Sequence, residues 1–341
     1  MNIVYIVGNG FDRNLGLKTS YQDFYKFYKA QVSPNEEVKK VKQLIANEPS
    51  ELWSDLELAL GRITSGFNNV NEYVEVLKDI SDNLRKYIKE ESNRLIIKPV
   101  ASERMRQYLS APFDCLTPEV KRQAESHFNA ELSREWYVNI ISFNYSYVLE
   151  WLLSDFIGKR IGSHHQNNAV VNLHKIHHIH GKCDSSILVG VNDLSQIANE
   201  SFRTDEYLLD WLMKPRTQTC LSDGVERECK TLINNADLIC LFGMSFGATD
   251  NMWWRLIQDR LRANAYYRAL IYDYVPNVSF ADNREQERGL YRREAKRRLA
   301  QSRYDSLQNS ILCDTNTKMF DFHEVISRGY EPYDIVIPKA V

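Results

Sequence analysis

The chain opens on a short, unbroken apolar run, NIVYIV at residues 2–7, which Gly8, Asn9 and Gly10 bring to a stop. A run of this length without polar alternation predicts a strand buried on both faces that delivers the chain into a glycine turn. Four later segments share the pattern: Val138–Phe143, Ile187–Val191, Asp237–Phe242 and Ala269–Tyr272. Each is short, rich in branched or aromatic residues, and ends in small or polar ones. Helical periodicity fills the intervals between them. Buried strands separated by helices predict an α/β fold, a Rossmann-like, mostly parallel sheet with helices on both faces.

Between the first strand and Val138 the period stays helical. Ser20 followed by Asp23 forms a capping box that opens a helix over 21–30. Helices are also expected over 36–48 and 53–63. The strongest spans about 70–97, where Tyr73, Leu77, Ile80, Leu84, Tyr87 and Ile88 recur at helical spacing and Pro99 ends the pattern. The expected organisation is therefore a core built from 1–20 and 136–280, an all-helical insertion at 21–135, and a C-terminal helical and strand extension over 281–341 that packs on the core. Later helices are expected after Ser146, Ser201, Val225 and Thr249.

Composition narrows the class. The 341 residues carry 43 Lys and Arg against 45 Asp and Glu, a net charge of −2, so no global field draws nucleic acid or anionic lipid. One basic stretch, residues 282–303, places Arg284, Arg288 and Arg292 four apart on one helical face. Acidic residues interleave it and no aromatic platform accompanies it, which favours a solvated face over nucleic-acid contact. None of the six cysteines is spaced C-x-x-C, which argues for a reducing compartment and against a zinc ribbon. The N-terminus lacks a basic leader and no run is long enough to span a bilayer, so the expected location is cytoplasmic, without a membrane.

Candidate chemistry gathers at the strand ends. The first loop departs from two common phosphate motifs: Arg13 stands where a dinucleotide fingerprint has its third glycine, and Gly10 to Gly16 is one residue too long for a P-loop. Glycines after a central parallel strand still allow close backbone approach to a ligand, with phosphate on the next helix N-terminus; a tight strand–helix turn explains them equally well. Asn144, after Val138–Phe143, suits hydrogen bonding to a sugar hydroxyl or a water, although the residue taken alone favours a cap, with Asn144 or Ser146 starting the helix at Tyr147. His178 and His180 share one face of an extended strand, with His177 on the other. His180, directly before Gly181, suits a general base, against the alternative of a structural histidine. A metal site is disfavoured because Lys182 occupies the position an H-x-H-x-D-H motif needs as Asp. Gly243, Ser245 and Phe246 permit a ligand to approach after the fourth strand, where Thr249 or Asp250 is also a candidate cap. Asp273 ends the last strand and suits two vicinal ribose hydroxyls, against the commoner alternative of a cap.

The order of these motifs is more specific than any one of them. GNGFD at 8–12 with GLKTSYxDF, WSDLE at 53–57, SFNY at 142–145, HIHG at 178–181, VGVND at 189–193 and FGMSFG at 242–247 together resemble the AbiH family of phage abortive-infection proteins, from residue 2 to about 275. The same order is similar to a divergent sirtuin-like NAD-binding core. That resemblance implies NAD as substrate, with Gly8, Asn9, Gly10, Phe11 and Asp12 in the first cofactor loop and Thr19, Ser20 and Tyr21 closing over it. It further implies Asn144 and His180 as the catalytic pair and Gly243, Ser245 and Phe246 at the adenosine end. Ser146 stands where sirtuins have an Asp, and the sirtuin zinc module is absent. The expectation is an NAD+ hydrolase that depletes NAD in infected cells, held off until an unknown phage trigger acts, with the helical insertion as a candidate lid or homo-oligomer surface. The alternatives are a nucleotide-sensing module that binds NAD or ADP-ribose without turnover and, more distantly, a nucleic-acid effector.

Overall fold

A computed structural model describes residues 1–129, 134–163, 170–221, 224–275 and 285–329. Its centre is a seven-stranded sheet in the order β4-β5-β3-β1-β6-β7-β8. The strands are β1 (Asn2–Val7), β3 (Trp136–Ser142), β4 (Lys159–Ser163), β5 (Val170–His178), β6 (Leu238–Phe242), β7 (Arg268–Asp273) and β8 (Ile311–Thr315). All neighbours are parallel except β4, which runs antiparallel to β5 at one edge. This is the expected mixed α/β sheet. From β1 the chain steps outward to β3 and β5, then crosses back to β6, β7 and β8 on the other side. The direction of winding therefore reverses between β1 and β6, the place where such sheets take ligands at their carboxyl ends.

Each strand divides its side chains between two apolar layers, as the period of two requires. Ile3, Tyr5 and Val7 of β1 join the layer beneath helices Val100–Ser110, Pro118–Phe128 and Val148–Leu153. Val4 and Ile6 face Val225–Asn235, Asn251–Ala263 and Glu285–Ala300. Burial on both faces is why β1 reads as a continuous apolar run. A third apolar cluster lies off the sheet. Helices Tyr21–Ala30, Glu36–Asn47, Leu56–Ile63 and Val70–Ser92 pack there with residues 183–213. Ser20 caps the first of them by accepting from the Asp23 amide at 3.1 Å.

Several elements differ from the sequence expectation. The long helix stops at Ser92, and Leu95–Ile97 form a short strand, β2, antiparallel to β9 (Ile326–Arg328), so the segment 21–135 is not all helical. The buried Glu91 carboxylate binds Arg328 at 2.9 Å there and accepts from the Lys18 amide, tying β9 to the helix end. Residues 187–191 make only isolated bridges, because Gly190 presses against the Leu212 carbonyl and the Val191 amide bonds to that oxygen. Strands β4 and β5 were not among the expected segments, and β8, which falls in the expected C-terminal strand extension, joins the central sheet: β4 carries a single buried apolar residue, and β8 ends in Asp314 and Thr315. Asp314 is fully buried against Arg292, which takes that arginine off the proposed solvated face; Arg284 lies outside the described residues. No described helix is long and apolar enough to cross a membrane.

The switch point between β1 and β6 is held by backbone against backbone. The Gly8 amide donates to the Phe242 carbonyl at 2.9 Å and the Gly10 amide to the Gly243 carbonyl at 3.0 Å. A Cβ on Gly10 would stand 2.4 Å from Gly243 Cα, and one on Gly243, whose φ is +68°, would stand 2.7 Å from Gly10 Cα. We expect Gly10→Ala to cost about 1–3 kcal/mol or more through overpacking, and Gly66→Ala, with nothing within 4 Å of its Cβ, to stay within about 0.5 kcal/mol. Urea unfolding of the two variants checks this, and equal midpoints would contradict it.

Candidate functional site

The loops after β1, β3, β5 and β6 meet at the carboxyl edge of the sheet and bring together two buried polar groups. The first contains Asp12, Asn144 and Ser146. Asp12 sits in the short helix Gly10–Asn14 and is almost fully buried. Its carboxylate accepts from Asn144 Nδ2 at 3.1 Å and from Ser146. Burial pushes the Asp12 carboxyl up to about 6, against the lowering effect of Ser146, Asn144 and nearby His178. An ionised Asp12 can only accept, so Asn144 must present its amide nitrogen, and its Oδ1 is left buried with no hydrogen-bond partner among the described residues. Neither Asn144 nor Ser146 caps the following helix. It starts at Val148, with Tyr147 as a cap that makes no side-chain bond.

The second group contains His180, Asp250, Lys214 and Glu57. The strand β5 ends at His178, and the Gly181 amide closes a turn onto the His178 carbonyl, so His180 leaves the strand and does not share its face with His178. His180 Nε2 lies 3.1 Å from Asp250 Oδ1, and its ring rests edge-on against Phe143 at 5.1 Å and beside Tyr145 at 6.2 Å, the two neighbours of Asn144. The same Asp250 oxygen receives Lys214 Nζ at 3.0 Å, and Lys214 also donates to Glu57 Oε2 at 2.6 Å. Tyr145 donates toward Glu57 Oε1 at 3.5 Å and the Leu188 carbonyl at 3.2 Å, with Tyr21 bonded to Tyr145 behind it.

This charge pattern separates the two carboxylates. Burial lifts the Glu57 carboxyl, and the charge of Asp250 adds to the rise, against the pull of Lys214. Burial acts the same way on Asp250, but Lys214 and His180 outweigh it and hold that carboxyl well below its ordinary range. The Lys214 ammonium is fully buried, yet Asp250 and Glu57 more than offset the desolvation and keep it protonated. An ionised Asp250 can only accept, so Nε2, the His180 nitrogen that faces it, is the one placed to donate. A carboxylate beside one nitrogen of a histidine orients the ring.

The remaining sequence candidates take other places. The amides of Gly8, Gly10 and Phe11 are spent on the Phe242, Gly243 and Gly8 carbonyls. Those glycines therefore serve the approach of two loops rather than offering these N–H groups to a phosphate. Asn9 and Thr19 bond reciprocally, Thr19 Oγ1 to Asn9 Oδ1 at 2.5 Å and Asn9 Nδ2 to the Thr19 carbonyl at 2.8 Å, which draws the 16–20 loop over β1. Ser20 is a cap. Ser245 is exposed at the rim, while Phe246, at φ +58°, packs edge-on against Trp254. Asp273 is bound by Arg298 at 2.6 Å rather than standing open for a ribose. Asp250 is no side-chain cap either, since its helix carries no such bond. Of the residues that complete the site, Glu57 lay in the WSDLE block without an assigned role. Lys214 had no signal, because its partner Glu57 is 157 residues away.

Two measurements follow from this geometry. Removing a buried cation leaves two carboxylates facing each other, so Lys214→Met should cost about 3–5 kcal/mol in urea unfolding, and a loss under about 1 kcal/mol would contradict the network. A carboxyl raised on folding stabilises most fully below its unfolded value of about 3.9 and loses that contribution as pH climbs through about 6. Asp12→Asn should therefore raise stability at pH 8 by up to about 3 kcal/mol and leave it nearly unchanged at pH 4. A gain of equal size at both pH values would rule out a strained, ionised Asp12.

A family model for bacteriophage abortive infection AbiH matches residues 4–272, from β1 through β7, and so includes both polar groups. No curated protein matches the chain. With more than half of its length matched, this chain belongs to the AbiH family and to its role in bacteriophage abortive infection.

Proposed function

We propose that the protein is an NAD+ hydrolase that cleaves the nicotinamide–ribose bond and thereby arrests the infected cell. One observation carries the reading. At the carboxyl edge of a sheet wound like a dinucleotide-binding fold, Asp250 faces His180 Nε2 at 3.1 Å, and Asn144, bound to Asp12 through Nδ2, keeps Oδ1 without a hydrogen-bond partner among the described residues.

Nicotinamide departs as a neutral molecule from a cationic ring, so its departure requires no proton donor. What is needed is stabilisation of an oxocarbenium-like ribose and delivery of water. Asn144 Oδ1 would accept from the attacking water or a ribose hydroxyl. Water oxygen would bond to the ribose carbon as the carbon–nitrogen bond breaks, and its proton would pass to His180 Nδ1 and then to solvent. Asp250 retains the Nε2 proton and favours the imidazolium that forms, as a carboxylate partner does in hydrolytic triads.

A second reading, binding of NAD or ADP-ribose without turnover, is favoured by Ser146. It is spent on Asp12 and brings no further carboxylate to the site. Incubating NAD with purified protein separates the two. Nicotinamide release should fall by about 10²–10⁴-fold in His180→Ala and also fall in Asn144→Ala. Equal release by all three proteins would end the hydrolase assignment. Tight binding in calorimetry without product would favour the sensor.

A further inference from the structure

His180 and Asn144 are each only 4% exposed, and Asp12, Glu57 and Lys214 are buried with them. Such burial leaves too little surface for a dinucleotide to engage either side chain, so one wall of the site must move before a substrate is held. The walls differ. On one side the loops after β1 and β6 are locked together by the Gly8–Phe242 and Gly10–Gly243 backbone bonds. On the other stands the helical layer, which has an apolar cluster of its own, distinct from the clusters on the two faces of the sheet. His180 lies at the seam between them: Phe143 on one side of its ring belongs to a sheet cluster, and Tyr145 on the other packs against the helical one. A body with its own core can shift as a unit, and closure of such bodies around a site is a common transition.

Charge decides how the seam holds. The buried ion pair of Lys214 Nζ with Asp250 Oδ1, at 3.0 Å, crosses it. Lys214 belongs to the helical side, since its amide bonds at 2.9 Å to the carbonyl of Val191, a member of that cluster. Asp250 belongs to the sheet side, directly before the helix Asn251–Ala263. Parting a buried pair ordinarily strands two charges, at a large cost. Here each charge keeps a second partner on its own side, Lys214 with Glu57 at 2.6 Å and Asp250 with His180 at 3.1 Å. The pair can therefore separate without leaving either charge alone. Elsewhere the layer is pinned: Glu91 holds Arg328 of β9 through Nε at 3.2 Å and a terminal guanidinium nitrogen at 2.9 Å.

We propose that the helical layer is a lid over His180 and Asn144, pivoting where Glu91 holds Arg328 and latched by Lys214 on Asp250. The inference rests on the reading of those two residues as the working site, but it concerns access rather than turnover.

Histidine labelling tests it. Diethyl pyrocarbonate acylates accessible imidazoles, and fragment-ion mass spectrometry assigns the label to each histidine. In the wild type His180 should react at least about tenfold more slowly than His323, whose side chain is 72% exposed. Glu57→Gln/Lys214→Met removes both charges of the lid and should speed His180 labelling by about tenfold or more. Glu57→Gln alone leaves Lys214 to Asp250, tightens the latch, and should slow His180 labelling by about threefold. A charge network with a purely structural role would speed labelling in both variants, so the opposite signs distinguish a latch. His177, buried in β5 beside Glu228, should stay slow throughout and reports general loss of structure. Should the double variant fail to fold, the sign of the effect in Glu57→Gln decides. Nicotinamide release does not enter the measurement, so the hydrolase reading can fail while the lid stands. Wild-type labelling of His180 as fast as that of His323, faster labelling in Glu57→Gln, no gain in a folded double variant, or His177 rising together with His180 would overturn it.

Discussion

A buried ammonium organises this molecule. Lys214 has no solvent of its own, and an isolated cation in that position would be far too costly to keep. It is tolerated because Glu57 and Asp250 reach it from two other parts of the chain, one in the helical layer and one after β6. The three charges must arrive together. The helical layer and the carboxyl edge of the sheet are therefore joined at the point where Asp250 also meets His180. A structural ion network and the orientation of a candidate base are the same contact.

The close approach of β1 and β6 loops sets the stage for that contact. With glycine on both sides, the two backbones touch at the reversal of the sheet and bond directly across it. The short helix that follows β1 then lays Asp12 under Asn144, while the loop after β6 runs on to Asp250. Two carboxylates a few loops apart end in opposite electrostatic states. Burial raises Asp12, whereas Lys214 and His180 hold Asp250 down. Groups pushed apart in this way are the usual mark of sites that move protons.

The strands that could be read from the sequence are those buried on both faces by apolar residues alone, β1, β3, β6 and β7. β8 escaped because the polar end of the strand is neutralised by Arg292, an interaction a local pattern cannot carry. The 187–191 run misled for the opposite reason: its apolar residues pack into the helical layer around Gly190 rather than pairing in the sheet. Among site residues, Asn144 and His180 stood out because a polar residue at a buried strand end needs a partner. Those partners, Asp12 and Asp250, were visible as residues but not as contacts. The local alternative for Asp250, a side-chain cap, is equally open to the sequence and fails only in three dimensions. Lys214 shows the limit most plainly, since nothing around it hints at burial and its carboxylates lie 157 and 36 residues away.

The proposed chemistry requires Asp250 to hold the imidazole of His180 with its proton on Nε2. Nitrogen-15 NMR of the histidine side chains, with His180 assigned by substitution, reads this directly. We expect a single neutral tautomer protonated at Nε2 in the native protein, lost in Asp250→Asn. A proton on Nδ1, or the averaged nitrogen shifts of a freely exchanging imidazole, would contradict it.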